Sequence, residues 1–507
     1  MSSTGNQPSA SNQRGLWAAI IFSILIFGYF LFWVLRLFPT LINDEYAALD
    51  FVYRSITTGQ FTPPPHRFYK PYSLVFGLLA FAGGPLAYEI VAVLFAAGLV
   101  LVFYLCARQR LSTGFALLAA AMLGFAPDFF DGTVRAITLI PGMFFILLAV
   151  YYGNQMRERP GAWKRYSLFA FLGGFVRPET WLLAFPLTWW LFPKNLKQAA
   201  RWIAAPAIIA LSAVIWFGKD WFLSHDVMYS LKVSQYDKMI GAGAPFGLGR
   251  SFYWFHPFLG PKFGVPFEIM CIMGFILYTW DKRKGLLRDP MFLTPVMLFL
   301  FLVISIWRGL YPQMRFFFPV SVFLIFFLAW LEERAFKFLK SRRLSLPAWA
   351  LVAVLSCGYF WWAGLRLNGV ELKALKRESA LQKQTVDLAQ YFRPLLKTGK
   401  YRVMISNRRD DQFSWLLRDL PMQDYFYFRE AHYFTQFEGK NFLSFEPDWI
   451  VWVPDDYHKQ DVNDMFLWLS YQDRTELAGR LIALEKTVGD YRIFRVSRLG
   501  QAPDSGH

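Results

Sequence analysis

Eleven stretches of predominantly apolar residues fill most of the chain between residues 15 and 366. A helix needs about 20 apolar residues to cross a bilayer, and most of the stretches come close to that length. The first is too long for a signal-peptide core and no small-residue cleavage site follows it, so we expect it to remain as an anchor. The sequence predicts a mainly α-helical, polytopic membrane protein with about 11 transmembrane helices, at roughly 15–38, 85–106, 112–127, 137–155, 163–176, 179–193, 200–218, 262–280, 290–307, 316–332 and 346–366.

The composition agrees with lipid as the solvent. Only 18% of the 507 residues are charged, whereas soluble proteins carry about 25%. The net charge of +17 is confined to residues 1–366, which hold 33 Lys and Arg against 16 Asp and Glu, while residues 367–507 hold 20 of each. Basic residues in an apolar region normally line cytoplasmic loops, so we exclude nucleic acid as a partner. The three cysteines, Cys106, Cys271 and Cys357, lie in apolar stretches without metal-ligand spacing.

The charges of the short loops predict the orientation of the chain. Every second loop is rich in Lys and Arg, which places those loops and the N-terminus in the cytoplasm. The alternate loops then face outward: 39–84, 127–136, the turn at Arg177, 219–261 and 308–315. An odd number of spans delivers the C-terminal segment to the same outer side.

Composition divides the chain into three parts. Residues 1–13 are rich in Ser, Asn and Gln, which predicts disorder, and residues 14–366 form the transmembrane module. Residues 367–507 mix strand and helix patterns, which predicts a soluble α/β domain on the outer face. We expect its strands at 401–405, 448–453 and 491–496, and its helices at 371–397, 412–420 and 462–486. It carries no Gly-rich phosphate loop or nucleophile motif, so we expect a binding or scaffolding role.

An acidic pair, Asp44 and Glu45, follows the first apolar stretch. Charged side chains at the boundary between lipid and water are costly and usually have a function. One interpretation is helix initiation, with Asn43 as the N-cap and both acids near the positive end of the helix dipole. The other is chemistry, and the two are compatible. Neighbouring helix residues point about 100° apart, so we assign the reacting carboxylate to Asp44 and a supporting role to Glu45.

Basic residues gather on the same outward side. They are Arg67, Lys70, Arg135, Arg177, Arg308 and Arg315. Any one of them alone fits a side chain that buries its stem in lipid and keeps its charge in water. Together they form a cationic rim opposite an acidic pair, which suits a lipid-phosphate substrate because cations bind the phosphate and a carboxylate removes a proton.

The order of these elements resembles the GT-C superfamily of polyprenyl-phosphate-sugar-dependent glycosyltransferases. The similarity covers residues 40–366 and comprises the acidic pair, Lys70-Pro71-Tyr72, Arg177-Pro178-Glu179, and Arg315-Phe316 with Pro319. The acidic pair and the Arg-Phe element are similar to those of polyprenyl-dependent mannosyltransferases, and the overall order resembles bacterial protein mannosyltransferases and aminoarabinose transferases. The residues before Arg315, Tyr311-Pro312-Gln313-Met314, differ from the His-Lys-Glu run of the eukaryotic mannosyltransferases, which leaves the sugar open.

The resemblance implies an enzyme of the bacterial inner membrane that moves one sugar from a polyprenyl-phosphate-linked donor to an acceptor hydroxyl on the outer face, with inversion at the anomeric carbon. Asp44 would take the acceptor proton, and the donor phosphate would be bound by Lys70, Arg67, Arg135, Arg177 and Arg315. Candidate acceptor or secondary contacts are Glu179, His66, Asp128, Asp131 and His256. The implied partners are this donor, a glycan, lipid or protein acceptor, and membrane lipids. The chemistry demands no cofactor, although Glu45, Asp128 and Asp131 are candidates for holding a divalent metal.

Two other classes of protein remain as alternatives. A transporter or lipid flippase tends to show internal repeats and ionisable residues at the bilayer midplane. The sequence shows no repeat, and charges such as Glu89 and Glu268 lie near the ends of spans. A glycan ligase of the O-antigen type also uses outward Arg residues, but its family lacks the acidic pair. We therefore favour a glycosyltransferase.

Overall fold

The structure of the chain, a computed structural model, describes residues 10–37, 39–41, 43–59, 61, 69–156, 158–159, 161–192, 196–230, 232, 264–307, 317–406, 410–420, 426–428, 447–452, 467–477 and 479–499. Within these residues the chain is mainly helical, and a small mixed β-sheet lies near the C-terminal end. The mainly α-helical class with a C-terminal α/β domain is confirmed.

Each predicted span corresponds to at least one helix. The first helix begins at Ala10, so residues 10–13 are helical rather than disordered as we expected. The predicted span at 179–193 is broken into a 3-10 segment, Pro178–Leu183, and a short helix. In chain order the helices up to residue 366 are α1 (Ala10–Arg36), α2 (Asn43–Thr58), α3 (Pro71–Gly77), α4 (Gly84–Arg108), α5 (Thr113–Gly124), α6 (Pro127–Val134), α7 (Leu139–Gln155), α8 (Ala162–Val176), α9 (Ala184–Trp190), α10 (Leu196–Ser224), α11 (Val265–Lys282), α12 (Pro290–Trp307), α13 (Phe318–Ser341) and α14 (Ser345–Arg366).

Length and hydropathy identify fewer complete membrane spans than eleven. Among the described residues four helical stretches are long and apolar enough to cross a membrane: Gln13–Arg36, Gly84–Arg108, Ala199–Ser224 and Ser345–Leu396. Two bent pairs raise the number to up to six, α5 with α6 at 54° and Val265–Arg288 with α12 at 89°. Other predicted spans are short helices, or carry acids within the helix as α13 does at Glu332 and Glu333. The polytopic character is confirmed, and the number eleven stays a prediction.

The largest apolar core surrounds α13. Its side chains from Phe318 to Trp330 are almost all buried, as expected of a helix that is apolar all round. Helices α5, α11, α12 and α14 pack against it. Gly274 allows α11 to approach so closely that a Cβ there would come within 2.3 Å of the Phe327 carbonyl oxygen.

The C-terminal region forms the predicted α/β domain. A π-helical turn, Leu367–Glu371, leads from α14 into a long helix, and a six-stranded sheet follows in the order β2-β1-β3-β6-β5-β4. Strands β1, β2 and β3 are parallel, whereas β3, β6, β5 and β4 pair antiparallel. The elements are α15 (Leu372–Leu396), β1 (Val403–Ser406), α16 (Asp410–Leu416), β2 (Phe426–Phe428), β3 (Trp449–Trp452), β4 (Arg474–Leu477), β5 (Arg480–Val488) and β6 (Tyr491–Arg498).

The predictions for this domain are mostly confirmed. Strands β1, β3 and β6 lie at the three predicted positions, and α15 and α16 match two of the three predicted helices. The predicted helix over 462–486 is wrong, because β4 and most of β5 occupy its second half. These strands carry alternating exposed charges, and their identity depends on pairing with β6 rather than on local pattern.

The segment 39–84, predicted to face outward, is largely helical rather than an open loop in its described residues. Helix α2 begins at Asn43, which confirms that the acidic pair initiates a helix. Almost every side chain of α2 from Glu45 to Ser55 is buried, because α3 packs on one side and α16 of the C-terminal domain on another. The segment that carries the candidate acids therefore lies between the membrane module and the C-terminal domain.

The predicted orientation can be checked by cysteine labelling in a Cys357→Ala background, which removes the one native cysteine that is exposed. Lys400 and Lys284 are both exposed, the first in the C-terminal domain and the second between α11 and α12. An impermeant maleimide added to the outer side should label Lys400→Cys and spare Lys284→Cys. The opposite labelling pattern would invert the orientation and remove every site assignment that depends on it.

Candidate functional site

The candidate site begins where α2 is attached to the membrane module. The Thr40 backbone N–H donates to Glu89 Oε1 at 2.7 Å, and the Thr40 hydroxyl donates to the Val134 carbonyl oxygen at 3.3 Å. Both Thr40 and Glu89 are buried, and Glu89 lies near the first turns of α4. Because burial of polar groups is stable only with such partners, these bonds fix the segment that leads into the acidic pair.

Glu45 is fully buried on the first turn of α2. The Tyr88 hydroxyl donates to its Oε2 at 3.4 Å. An apolar cluster shared by α2, α3 and α4 contains the neighbouring Tyr46 and the rings of Tyr72 and Tyr88. The supporting role of Glu45 stays a prediction. The side chain of Asp44 lies outside the described atoms, and its role stays a prediction.

Two further charges are buried on α2, Asp50 and Arg54. They form an ion pair with an Nε–Oδ1 distance of 2.8 Å. Burial raises the pKa of Asp50, and the Arg54 guanidinium beside it acts in the opposite direction. The sequence analysis missed Arg54, although its spacing of four residues from Asp50 is that of a helical ion pair.

Lys70 brings a positive charge to the start of α7. It is the N-cap residue of α3, and Pro71 behind it suits the first position of a helix. The Lys70 Nζ donates to the Thr138 hydroxyl oxygen at 2.8 Å. Thr138 is fully buried and directly precedes α7.

The turn between α6 and α7 that carries Thr138 is held in a constrained conformation. The Ile137 N–H donates to the Gly132 carbonyl oxygen at 2.8 Å, and the Ala136 N–H donates to that of Thr133 at 3.0 Å. This is a Schellman motif with Ala136 at φ 52°, where glycine is usual. The left-handed conformation costs an alanine about 1 kcal/mol. Packing of the buried Ala136 side chain beside α2 and α4 must offset this cost and hold the turn. The turn thereby fixes the position of the Thr138 hydroxyl, which accepts the hydrogen bond from Lys70.

Arg177 brings a second positive charge to the same place. It ends α8, and its guanidinium forms an ion pair with Glu179 in which both side chains are largely buried. Its aliphatic stem lies over Gly142, where a Cβ would come within 2.9 Å of the Arg177 Cδ. The Gly142 N–H donates to the carbonyl oxygen of Thr138. Lys70 and Arg177 therefore both meet the first turn of α7.

The predicted residues Asp128, Asp131 and Arg135 form a second group on α6. Arg135 Nε lies 2.8 Å from Asp131 Oδ1. Helix α6 packs against the π-helical turn Leu367–Glu371, which leads into the C-terminal domain. This group therefore faces the junction between the membrane module and that domain. Within the described part of the chain no three His, Cys, Asp or Glu side chains are grouped as metal ligands, so Glu45, Asp128 and Asp131 do not come together as a metal site.

A third ionic group supports the backbone next to Lys70, and the sequence analysis missed it. Lys219, near the end of α10, donates from Nζ to the Tyr69 carbonyl oxygen at 2.6 Å and lies 2.6 Å from Asp220 Oδ1. Ser230 donates to Asp220 from both its N–H and its hydroxyl. The Tyr69 ring stacks on Phe51 of α2. The signal in the sequence is an adjacent Lys-Asp pair at the outer end of an apolar stretch.

Four predicted site residues lie outside the described residues. They are His66, Arg67, His256 and Arg315. Their predicted roles in binding the donor phosphate or the acceptor stay predictions.

Comparisons with solved structures place this architecture. ArnT of Cupriavidus metallidurans bound to undecaprenyl phosphate matches with a TM-score of 0.57 at 12% identity, over 95% of this chain and 98% of that chain. The archaeal oligosaccharyltransferase AglB of Archaeoglobus fulgidus, in complex with an inhibitory peptide and a dolichol-phosphate, matches with a TM-score of 0.53 at 10% identity, over 87% and 70%. An oligosaccharyltransferase of Archaeoglobus fulgidus in complex with zinc and sulfate matches with 0.55 at 12%, over 85% and 67%.

These similarities show the fold. The chain shares the architecture of these structures over most of its length. No protein-family model matches the sequence, and no curated protein sequence matches it either. The expected resemblance to the GT-C superfamily is therefore confirmed at the level of fold.

The Lys219 group predicts a measurable coupling. In Lys219→Met, Asp220 loses its cation while remaining buried, and we expect a loss of about 3 kcal/mol of folding free energy. The double variant Lys219→Met with Asp220→Leu should recover most of that loss, because no buried charge is left unpaired. Thermal unfolding of the purified protein in detergent measures both. Equal melting temperatures for the single and double variants would contradict the role of Asp220 as the buried partner.

Proposed function

We propose that this protein is a membrane glycosyltransferase that moves one sugar from a polyprenyl-phosphate-linked donor to an acceptor hydroxyl on the outer face of the membrane. The observation that carries the proposal is the convergence of Lys70 and Arg177 on the first turn of α7. That turn is the positive end of a helix dipole, where cations are unfavourable unless an anion lies nearby. Glu179 supplies one negative charge, and two cations at a helix N-terminus suit the recognition of a phosphate group.

Each of these side chains has a defined role in the proposed transfer of the sugar. The acceptor oxygen attacks the anomeric carbon from the side opposite the phosphate, while Asp44 takes the hydroxyl proton. The bond between the anomeric carbon and the phosphate oxygen breaks, and its electron pair leaves with the polyprenyl phosphate. Lys70 and Arg177 stabilise the growing negative charge, with Arg67, Arg135 and Arg315 as further contacts. The sugar is thereby transferred with inversion.

The burial of Glu45 supports the division of labour within the acidic pair. Glu45 has no exposed surface and accepts a hydrogen bond from Tyr88, so a substrate hydroxyl cannot reach it without displacing packed side chains. We therefore assign proton removal to Asp44 and assign Glu45 to holding the first turn of α2. Glu179, His66, Asp128, Asp131 and His256 are proposed as acceptor or secondary contacts.

Substitution of the two acids separates these roles. Asp44→Asn should lower kcat by about 10² or more, the scale of general-base removal, with donor binding close to wild type. Glu45→Gln should retain more activity and should lower the melting temperature instead, because its carboxylate is buried. The measurements are steady-state transfer and thermal unfolding of both purified variants. High activity in the Asp44→Asn variant would move the base to another carboxylate.

Substitution of Arg177 tests the leaving-group contact. Arg177→Ala should lower kcat by about 10²–10³, because the lost contact is strongest when charge develops on the departing phosphate. Arg177→Lys should recover only part of this loss, since an ammonium cannot reproduce the two-pronged guanidinium contact. Arg334→Ala is the matched control and should keep wild-type kcat, because it removes an ion-paired arginine that is not among the proposed phosphate contacts.

The assay is transfer of radiolabelled sugar from a polyprenyl-phosphate donor to a membrane acceptor by the purified protein. If Arg177→Lys is as active as wild type, Arg177 is an anchor at the membrane surface rather than a phosphate contact. If wild-type protein transfers no sugar from any donor but moves lipid across vesicles, the transporter alternative replaces the proposed function.

A further inference from the structure

Arg54 joins the helix of the acidic pair to the C-terminal domain. It lies on α2 nine residues after Glu45 and is only 7% exposed. Its Nη1 donates to the Leu420 carbonyl oxygen at 2.6 Å, and its Nη2 donates to the carbonyl oxygens of Ser414 at 3.1 Å and Leu417 at 3.3 Å. Ser414 lies in the last turn of α16, and Leu417 and Leu420 lie just after its end, where helix carbonyls lack intrahelical partners and the dipole is negative. Arg54 therefore caps a helix of another domain.

Asp50 bonds to both Arg54 and Ser414, so that the three residues form a closed ring of hydrogen bonds. It accepts from Arg54 Nε at 2.8 Å and from the Ser414 hydroxyl. Asp50 and Ser414 are 5% and 1% exposed, so the ring is shielded from water. A shielded, fully bonded charge pair holds its geometry tightly, because any displacement leaves a buried charge without a partner.

A second contact holds the other end of α2. The Tyr46 hydroxyl, next to Glu45, donates to Gln382 Oε1 at 3.1 Å, and Gln382 Nε2 donates to the Leu41 carbonyl oxygen at 3.1 Å. Gln382 belongs to α15, and Gln412 of α16 donates to its backbone carbonyl at 2.9 Å. Through Gln382, the C-terminal domain thus binds Leu41 before the acidic pair and Tyr46 after it.

Between the two ends of α2, the Trp415 side chain of α16 packs against the helix. It packs with Tyr46, Leu49 and Tyr88, and its ring meets Tyr53 edge-on at 6.0 Å. It also lies against Gly84, where a Cβ would come within 3.1 Å of the indole. The same side chain therefore contacts α2, the start of α4 and the Tyr88 ring that binds Glu45.

We propose that Arg54, Asp50 and Ser414 are positioning residues through which the C-terminal domain sets the placement of the acidic pair. The inference rests on the proposed function and gives the domain a part in catalysis beyond the binding or scaffolding role expected from its sequence. Displacement of a reacting group by about 1 Å can cost 10²-fold in rate. The domain acts by preventing that displacement, and none of the three residues touches the substrate.

The test compares Arg54→Lys with Arg393→Gln in the full-length protein. Arg393 of α15 donates to the Leu416 carbonyl oxygen at 2.6 Å and pairs with Asp419, so it binds the same turn from within the C-terminal domain. Arg54→Lys keeps the charge beside Asp50 but cannot reach the three carbonyl groups together. Two readouts are used: steady-state transfer kinetics and hydrogen–deuterium exchange of peptides covering residues 43–50.

Arg54→Lys should lower kcat by about tenfold or more with the donor KM within about twofold, and residues 43–50 should exchange faster. Arg393→Gln should change neither quantity. Unchanged exchange over 43–50 in Arg54→Lys, or the same changes in Arg393→Gln, would overturn the inference. Ser414→Ala, which removes one hydroxyl and no charge, provides the same two readouts if Arg54→Lys does not fold. If wild-type protein transfers no sugar, the proposed function fails, while the exchange measurement still decides whether Arg54 positions α2.

Discussion

The burial of α2, a helix with too many polar groups to lie in lipid, is the constraint on which the rest of the arrangement depends. Buried polar groups must be hydrogen-bonded, and each end of α2 meets this requirement with partners distant in sequence. Glu89 binds the backbone just before the helix, while Gln382 and Ser414 bind its side chains. The membrane module and the C-terminal domain must therefore both be in place for α2 to be stable where it lies.

The same physics explains what could be predicted from the sequence. Apolar stretches report directly on membrane helices, so every predicted span contains a helix, and Asn43 with its acidic neighbours marks a helix start through local rules. The predicted helix over 462–486 failed because β4 and β5 are defined by their partners in the sheet. The number of membrane spans could not be predicted from local rules either, because bends such as that between α5 and α6 depend on packing.

The sequence indicated several candidate charged residues of the site, but not which side chains and backbone groups they contact. Lys70 and Arg177 stood out because they carry charge on the outward side of an apolar protein. Their meeting at the first turn of α7 follows from tertiary contacts, through Thr138 and Gly142, that no spacing in the chain encodes. Lys219 and Arg54 were missed for the same reason, as each serves a backbone carbonyl far away in sequence. At 12% identity or less, shared architecture with ArnT and AglB constrains the scaffold, and function has to be argued from these side chains.

The bond between Arg54 and the Leu420 carbonyl oxygen spans 366 residues of chain. At about 5–20 residues per second of synthesis, α2 leaves the ribosome roughly 20–70 s before the turn whose carbonyl groups Arg54 binds. During that interval Arg54 can pair with Asp50 of its own helix, but the carbonyl groups that it binds in the C-terminal domain do not yet exist. The contacts that hold α2 are therefore completed in order, those to the membrane helices first and those to the C-terminal domain last.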